Sequence, residues 1–395
     1  MTSLGLCIGS SSISYALTTE GNGRPEILGT GRIVHDGDPE RIIKDLLGRA
    51  EFVSVNRLGV TGRKFRYFLN AATLSEPEAL EMSCRYYIEE HPADLLVSAG
   101  AETVMVFSLT ADGRIYDVMT GNKCASGTGE FFLQQLRRMD ITPEEVSGFA
   151  DRDNPFKVSG RCSVFCKSDC THALNKGIKK EFVVAGLSDM MAGKIAELVT
   201  RAEHQNGHKK DPAVLLVGGT TNNSLMLEYL KRKVPGIIIP PQAENFEALG
   251  ASLWGLRKEE ATVQGLSGIS ALHKRTFKSH PPLRDALDLV VFKDSEKRKA
   301  RPGETCVLGL DVGSTTTKAV IINAEGEDAS ILAQVYLRTN GNPVEASRNC
   351  YRALLTQVPE DIKIIGLGTT GSGRQIAGLH ALTPAVINEI IAHAI

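Results

Sequence analysis

Four cysteines in this sequence have the residue type and the clustering that a metal site needs. One precedes the turn Gly127-Thr128-Gly129 in the segment NKCASGTGEFF, and the other three fall within nine residues in the segment GRCSVFCKSDCTH. Four thiolates are the ligand set of an iron–sulfur cluster or of an all-thiolate zinc site, for which His172 is an alternative ligand. Buried, reduced cysteines are the simpler interpretation, but the clustering and the neighbouring lysines favour a metal site. The predicted ligands are Cys124, Cys162, Cys166 and Cys170.

The turn after the first of these cysteines has the residue types of an anion site. Gly127-Thr128-Gly129 opens an apolar helical run that we expect to end near Met139. A glycine-rich turn at the start of a helix presents backbone N–H groups and the positive end of the helix dipole, which attract a phosphate and favour a nearby thiolate. A second such turn, GGTTNN, lies between a predicted strand and a predicted helix, although an ordinary connecting turn would use similar residues. Its predicted contacts are Gly218, Gly219, Thr220 and Asn222.

A third motif, DVGSTTTK, combines an acidic and a basic residue around a small, hydroxyl-rich turn. The turn residues Gly313, Ser314 and Thr315 would let the backbone approach a phosphate. Asp311 could hold a Mg²⁺-bound water, and Lys318 would supply a positive charge for the phosphate. A tight β-turn with an incidental aspartate is the simpler alternative. We predict catalytic roles for the aspartate and the lysine.

The same motif occurs in altered form at the N-terminus. LGLCIGSSSISYA aligns with LGLDVGSTTTKAV, which places Cys7 opposite Asp311 and Ser14 opposite Lys318. A thiol does not hold a Mg²⁺-bound water as a carboxylate does, and serine carries no charge. Either this copy is a degenerate nucleotide site, or Glu102 in the turn SAGAET takes over the acidic, catalytic role. The phosphate contacts of this copy are predicted at Gly9, Ser10 and Ser11.

Strands and helices alternate along the chain in a way that could bring these turns together. Short apolar strands precede the turns and amphipathic helices follow them, which predicts an α/β protein. The internal repeat divides the chain into one whole unit over 1–256, a polar linker over 257–304 and the truncated first lobe of a second unit over 305–395. Within this scheme we expect a strand over Phe52–Val60 and a last helix that begins at Thr383-Pro384.

Composition narrows the class of protein. The chain has 395 residues with 45 basic and 46 acidic side chains, so neither nucleic acid nor a membrane surface is indicated as a partner. The apolar runs are shorter than the roughly 20 residues of a membrane-spanning helix, and the N-terminus lacks the basic region of a signal peptide. Eight cysteines in such a chain predict metal or redox chemistry in the cytoplasm rather than structural disulfides.

The segments DVGSTTTK, NKCASGTGEFF, SGRCSVFCKSDC and GGTTNN together resemble one protein family. They are similar to the BadF/BadG/BcrA/BcrD ATPases, activators of 2-hydroxyacyl-CoA dehydratases, within the superfamily of acetate and sugar kinases, heat-shock chaperone ATPases and actin. The resemblance is strongest to the large two-unit members, and it covers 1–256 as a whole unit and 305–395 as the first lobe of another. It implies a ribonuclease-H-like ATPase fold in which ATP lies between two lobes.

The resemblance also implies cofactors and partners. ATP or ADP would bind with Mg²⁺, and two subunits would share a 4Fe-4S cluster, to which each subunit would contribute two cysteines, by motif match Cys124 and Cys162. ATP turnover would then drive one low-potential electron to an acyl-CoA dehydratase or a related iron–sulfur reductase component, such as that of benzoyl-CoA reductase. A ferredoxin or a flavodoxin would be the electron donor. The two cluster-binding halves would form either a homodimer or an intramolecular pseudo-dimer.

Three functions stay open at this point. The first is an ATP-linked electron-transfer activator, the second a small-molecule kinase of the same superfamily, and the third a non-catalytic nucleotide-binding scaffold with a zinc site. A kinase needs a catalytic base near the γ-phosphate and an acceptor pocket, but it has no need of clustered cysteines. Simple activators carry an aspartate where this chain has Cys7, and a Gly-Gly-Gln-Asp-like turn where it has SAGAET. The departure leaves open whether the first unit hydrolyses ATP.

Overall fold

A computed structural model describes residues 1–121, 127–149, 154–160, 162–206, 211–270, 283–291, 298–325 and 330–394. The chain forms two compact units. The first comprises 1–133, 160–163 and 187–276, and the second comprises 134–159, 164–186 and 277–395. This division differs from the predicted one, because residues 134–159 and 164–186 are grouped with the C-terminal part of the chain.

The first sheet of unit 1 has the strand order β3-β2-β1-β4. Leu4, Leu6 and Ile8 alternate along β1 and are buried on one face of the sheet, while Ser3 and Gly5 are buried on the other face. β1 pairs antiparallel with β2 and parallel with β4. Asp38 caps helix α1 by accepting a hydrogen bond from the N–H of Arg41. The elements are β1 (Thr2–Ile8), β2 (Ser12–Thr19), β3 (Glu26–Val34), α1 (Pro39–Leu47) and β4 (Arg57–Thr61), with short 3-10 helices at Ala50–Phe52 and Arg63–Phe68.

The second sheet of unit 1 has the order β7-β6-β5-β8-β9. Helix α2 begins with a capping box between Ser75 and Glu78, and its buried face includes Leu80. Helix α7 is capped by Asn223. The elements are α2 (Glu76–Tyr87), β5 (Leu95–Ala99), β6 (Val104–Leu109), β7 (Ile115–Thr120), β8 (Val214–Val217), α7 (Ser224–Lys233), β9 (Ile237–Ile238) and α8 (Phe246–Arg257), with 3-10 helices at Gly219–Asn222, Ala243–Asn245 and Glu259–Ala261.

Helix α8 packs unusually close to the first sheet because glycines face it. A Cβ added at Gly5 would lie 2.0 Å from the backbone oxygen of Ala248, and one at Gly59 would lie 2.3 Å from that of Ala251. Such distances are shorter than van der Waals contact, so only glycine fits at either strand position. The close approach fixes where the first turn of α8 lies relative to β1.

The chain between β7 and β8 of the second sheet is helical in its described residues. Helix α3 begins directly after the turn at 127–128 and ends at Met139, as predicted. The elements of this stretch are α3 (Gly129–Met139), α4 (Pro143–Val146), α5 (Ser163–Asn175) and α6 (Lys180–Asn206). None of the helices in the described ranges is long and apolar enough to cross a membrane.

The C-terminal sheet, in unit 2, repeats the first sheet of unit 1. Its order, β12-β11-β10-β13, is the same, and β10 pairs antiparallel with β11 and parallel with β13. Cys7 pairs with Ser14 and Asp311 pairs with Lys318, so the strand register agrees with the sequence alignment. The elements are β10 (Thr305–Val312), β11 (Thr316–Asn323), β12 (Ile331–Arg338), α9 (Pro343–Leu355), β13 (Lys363–Thr370), α10 (Arg374–His380) and α11 (Glu389–Ala394), preceded by a 3-10 helix at Leu283–Leu289.

Two predicted boundaries were wrong. The expected strand over Phe52–Val60 begins only at Arg57, because the preceding residues form a 3-10 helix and a turn. The last helix begins at Glu389 rather than at Thr383-Pro384. Residues 385–387 instead run beside β13, where the N–H of Thr369 donates to the oxygen of Ala385 at 2.8 Å, and the N–H of Ile387 donates to the oxygen of Thr369 at 2.8 Å.

Candidate functional site

The turn between β1 and β2 is closed by its own backbone and by one histidine. The N–H of Gly9 donates to the oxygen of Ser12 at 3.0 Å, and a Cβ at this glycine would lie 2.9 Å from that oxygen. The N–H of His35 donates to the oxygen of Ser11 at 3.1 Å, and its Nε2 lies 3.2 Å from the oxygen of Gly9. Ser10, also in this turn, is half-buried. The turn is therefore fixed in a tight form that a phosphate could approach.

The turn between β10 and β11 is built in the same way. The N–H of Gly313 donates to the oxygen of Thr316 at 2.9 Å, and the N–H of Thr339 donates to the oxygen of Thr315 at 2.9 Å. The hydroxyl of Thr339 donates to the oxygen of Gly313 at 2.8 Å, as the ring of His35 contacts Gly9 in the first copy. Ser314 lies in this turn. Both copies thus have one turn geometry, and they differ mainly in the side chains that flank it.

A row of four side chains crosses each of the two repeated sheets beside the turn, because residues paired in register point to the same face. In the second copy, Lys318 Nζ lies 2.9 Å from Asp311 Oδ2, and this hydrogen bond raises the pKa of the lysine. In the first copy, burial and then the charges of Glu247 and Glu76 raise the pKa of the Cys7 thiol well above its ordinary value, so the thiol is neutral. The row of the first copy is Arg32, Ser14, Cys7 and Thr61. The row of the second copy is Tyr336, Lys318, Asp311 and Thr370.

Three of the predicted elements of unit 1 meet at the turn between β5 and β6. The N–H of Gly129 donates to the oxygen of Gly100 at 3.1 Å, which joins the start of α3 to this turn. The hydroxyl of Thr220 donates to the oxygen of Ala99 at 2.9 Å. Gly218 has a φ of 98° and a Cβ there would lie 2.4 Å from the same oxygen, so glycine is required. The sequence motifs at 98–103, 127–129 and 218–220 are thus one structural site.

An arginine that the sequence analysis did not select connects the two turns of unit 1. Arg32 Nε donates to Ser12 Oγ at 2.8 Å. The same guanidinium lies 3.2 Å from where a Cβ of Gly219 would be, so it faces the turn after β8. Asn222, farther along that turn, donates from Nδ2 to Glu244 Oε2 at 2.7 Å and so holds the turn itself.

Two buried or half-buried carboxylates lie beside Cys7, and neither is the predicted Glu102. Glu247 is 9% exposed and accepts a hydrogen bond from Ser98 Oγ at 3.1 Å. Burial, and next the charge of Glu76, raises the pKa of Glu247 to about 7. Glu76 Oε2 lies 2.9 Å from Arg63 Nε. The two carboxylates that act on Cys7 therefore come from helices α2 and α8.

A cavity of about 1150 Å³ opens in unit 1 beside the β5–β6 turn, and Arg63 and Glu76 are among the residues that line it. Glu102 and Thr103 line it, as do Gly127 and the buried Thr128. Gly121 and Gly160 line the same cavity. In the sequence, Gly121 and Gly127 flank Cys124, and Gly160 stands two residues before Cys162. Described residues on both sides of Cys124 in the chain, and one residue shortly before Cys162, therefore line one cavity.

The four predicted cysteine ligands are not brought into one group by the described residues. Cys124 lies outside them, and Cys162, which is half-buried, belongs to unit 1. Cys166 and Cys170 belong to unit 2 and are 0% and 3% exposed on adjacent turns of α5. A hydrogen bond with Cys166, followed by burial, raises the pKa of the Cys170 thiol. In the described ranges there is no cluster of three or more His, Cys, Asp or Glu side chains placed to hold a metal ion.

Comparison with known proteins connects this site to one family. Residues 76–255 match the BadF/BadG/BcrA/BcrD ATPase family. The 2-hydroxyisocaproyl-CoA dehydratase activator of Clostridioides difficile is 25% identical over 240 residues, which are 58% of this chain and 86% of that protein. A benzoyl-CoA reductase component of Thauera aromatica is 27% identical over 155 residues, 38% of this chain and 53% of that protein.

A solved structure extends the likeness to the fold. The activator of the 2-hydroxyisocaproyl-CoA dehydratase from Clostridium difficile with bound ADPNP has a TM-score of 0.56 and 25% identity, and the match covers 65% of this chain and 95% of that one. The family resemblance and the two-lobed α/β ATPase fold predicted from the motifs are thereby confirmed.

Sequence reasoning missed the groups that surround the turns, although signals for some of them were present. HDGDP at 35–39 corresponds to TNGNP at 339–343, and in both copies a residue with positive φ precedes a glycine with positive φ. Glu247 is a charged residue in the otherwise apolar helix FEALGASLWGL, which marks a position with a specific partner. Arg32 carries no such signal, because its partners lie in other elements of the sheet and in the turn after β8.

Proposed function

We propose that this chain is an ATP-dependent activator that delivers low-potential electrons through an iron–sulfur cluster to a 2-hydroxyacyl-CoA dehydratase-like or benzoyl-CoA reductase-like partner. The observation that carries the proposal is that one turn, 98–103, borders both the predicted nucleotide elements and a cavity lined by Gly121, Gly127 and Gly160, which stand near Cys124 and Cys162 in the sequence. The relatives named above support the class of partner.

The nucleotide part of the proposal is supported by the turns of unit 1. Gly9 to Ser12, Gly218 to Thr220 and the turn at 98–103 are rich in glycine and hydroxyl residues and are held in tight form by internal hydrogen bonds, so a phosphate can approach their backbone. Arg32 adds a permanent positive charge that can form two hydrogen bonds to one phosphate. When bound, Mg²⁺ would neutralise phosphate charge, and the carboxylates of unit 1 are suited to hold its waters.

The cluster part of the proposal assigns two ligands to this chain. Cys124 and Cys162 would hold a 4Fe-4S cluster together with two thiolates from a second copy of the element, as in a homodimer. Cys166 and Cys170 are buried in unit 2, where a hydrogen bond with Cys166, followed by burial, raises the pKa of the Cys170 thiol and disfavours its thiolate. They therefore fit a packing role better than the ligand role predicted from their spacing. When bound, the cluster would supply one-electron transfer, with a ferredoxin or flavodoxin as the donor.

Coupling between nucleotide and cluster would pass through the start of α3. The N–H groups of Gly129 and Glu130 donate to the oxygens of Gly100 and Ala101 at 3.1 and 3.0 Å. A shift of this turn on ATP binding or hydrolysis would move the helix start, and Gly127 stands three residues after Cys124 in the chain. Nucleotide state would thus change the surroundings of the cysteine segment without direct contact.

The coupling is tested by the rate at which a chelator removes iron from the anaerobically reconstituted protein. We expect Mg²⁺–ATP and Mg²⁺–ADP to give rates that differ by severalfold, and Thr220→Val to reduce the difference because it removes the hydrogen bond to Ala99. Thr200→Val, on the exposed side of α6, is the matched control. Equal rates with either nucleotide would contradict the coupling, and zinc in place of iron would support the scaffold alternative.

A further inference from the structure

The repeated sheets allow the first copy to be compared with the second, residue by residue. At the centre of the row in the second copy, Asp311 and Lys318 are 2.9 Å apart. In the first copy the same two register positions hold Cys7 and Ser14, which carry no charge. The turn beside them has kept its closing hydrogen bonds, so the first copy has lost the charges of the motif but not its backbone.

In the first copy, a carboxyl group from another element, Glu247 of helix α8, lies near Cys7. Glu247 lies in the first turn of α8, and Gly5 and Gly59 bring that helix close to β1 and β4. Its carboxylate acts on the thiol of Cys7 and accepts the hydrogen bond from Ser98. A buried carboxylate is costly unless a partner compensates its charge.

In the first copy, a positively charged side chain lies on the next strand of the sheet, β3. Arg32 on β3 is paired in register with Ser14, so it stands next to the position that corresponds to Lys318. Neighbouring strands are about 4.8 Å apart, and an arginine side chain is long enough to bridge that distance. Its guanidinium is already held against the phosphate turn by Ser12 and faces Gly219.

The other end of each row contains a buried hydroxyl without a partner. The Oγ1 atoms of Thr61 and Thr370 are both buried and, among the described residues, neither has a hydrogen-bond partner. Each is paired in register with the first residue of the motif, Cys7 or Asp311, and so points to the same face. An unsatisfied buried hydroxyl is unfavourable. Because such a hydroxyl occurs at the same place in both copies, we expect each copy to bind a group of the same kind at this position.

From these observations we infer that the first copy keeps a Mg²⁺–nucleotide site in which Glu247 and Arg32 supply the charges that Asp311 and Lys318 supply in the second copy. Glu247 accepts from a water on the metal, Arg32 binds a phosphate oxygen, and Thr61 finds its partner in the hydrated metal or the nucleotide. This inference rests on the nucleotide binding proposed above. It means that the first copy is a working site whose charged residues come from other elements, rather than a degenerate site.

The test is the affinity of the full chain for a fluorescent ADP analogue, measured with and without Mg²⁺ in an Asp311→Ala, Lys318→Ala background. We expect one nucleotide to bind per chain. Glu247→Gln should weaken binding at least tenfold with Mg²⁺ and less than twofold in EDTA, because only the metal-dependent contact is lost. Arg32→Gln should weaken binding in both conditions, because its contact is to phosphate.

Two controls and one rescue separate a direct role from a fold defect. Glu259→Gln and Arg257→Gln, exposed near the end of α8, should bind like the background chain. Cys7→Asp, added to Glu247→Gln, should restore Mg²⁺-dependent binding, because it puts a carboxylate where the second copy has one. Thermal unfolding of every variant verifies that it folds.

The outcomes distinguish this inference from the function on which it rests. If the background chain binds no nucleotide while the wild type does, or if Glu247→Gln retains its Mg²⁺ dependence, the inference is overturned but an ATP-dependent function through the second copy survives. If the wild type binds no nucleotide, both fail. Loss of Mg²⁺ dependence in Glu247→Gln with recovery by Cys7→Asp supports the inference.

Discussion

The position of helix α8 should be set by its glycine contacts, and Gly250→Ala tests this most severely. A Cβ at Gly250 would lie 1.7 Å from the backbone oxygen of Ala79 in helix α2. An ordinary carbon–oxygen contact is roughly 3.3 Å, so the two helices would have to separate by roughly 1.6 Å at this point. Overpacking of this kind costs roughly 1–3 kcal/mol, and the better helix propensity of alanine returns about 1 kcal/mol.

We therefore expect Gly250→Ala to lower the free energy of unfolding of unit 1 by about 1 kcal/mol, which corresponds to a fall in melting temperature of roughly 2–4 °C. Calorimetry of the full chain would measure it. The same experiment should show weaker Mg²⁺–nucleotide binding, because α8 carries Glu247.

Gly193→Ala is the matched control for this substitution. It lies within helix α6, and an added Cβ there meets nothing within 4 Å. It should stabilise the chain by up to about 1 kcal/mol through helix propensity alone. If Gly250→Ala were as stable as Gly193→Ala, the close approach of α8 would not be what positions it, and the account of Glu247 would lose its structural basis.

Three further substitutions have outcomes that the structure determines. Burial raises the pKa of Glu247 to about 7, so its stabilising contribution is full below its unfolded pKa near 4.5 and is lost as the pH rises through 7. Urea unfolding without nucleotide or Mg²⁺ should therefore show that the free energy of unfolding falls by an amount on the order of 3 kcal/mol over this pH range. Glu247→Gln should remove this pH dependence. Lys318→Met breaks a partly exposed pair with Asp311 and should change the free energy of unfolding by less than about 1 kcal/mol, while it weakens nucleotide binding to the second copy. Asn175→Ala removes a 2.9 Å hydrogen bond to Ser372 within unit 2 and should cost about 1 kcal/mol; a double-mutant cycle with Ser372→Ala should show that the two losses are not additive.

Local patterns predicted the strands and turns of both repeats well, because each depends on neighbouring residues. The limits of α3 were predicted correctly, since a glycine motif marks its start. The expected helix start at Thr383-Pro384 failed because backbone hydrogen bonds to Thr369 on β13 hold the following residues in an extended form. That competition depends on the tertiary fold and leaves no signal near residue 383.

The sequence predicted the turns of the candidate site, which have recognisable motifs, but not the side chains that surround them. The turns at 9–12, 127–129 and 218–220 were recognised from glycine and hydroxyl residues, and the structure brings the last two together on the turn at 98–103. Glu247 and Arg32 come from elements far apart in the sequence, so their convergence is a property of the fold. The cysteine spacing predicts four ligands in one group, and this stays a prediction because Cys124 lies outside the described residues; in α5, Cys166 and Cys170 are buried.

The most direct test of the account is the iron and sulfide content of anaerobically reconstituted protein, measured together with its electron paramagnetic resonance spectrum after reduction. We predict that the wild type, Cys166→Ala, Cys170→Ala and the buried control Cys84→Ala contain a 4Fe-4S cluster, and that Cys124→Ala and Cys162→Ala contain none. A wild type that remains free of iron and sulfide, or full cluster content in both Cys124→Ala and Cys162→Ala, would contradict the account.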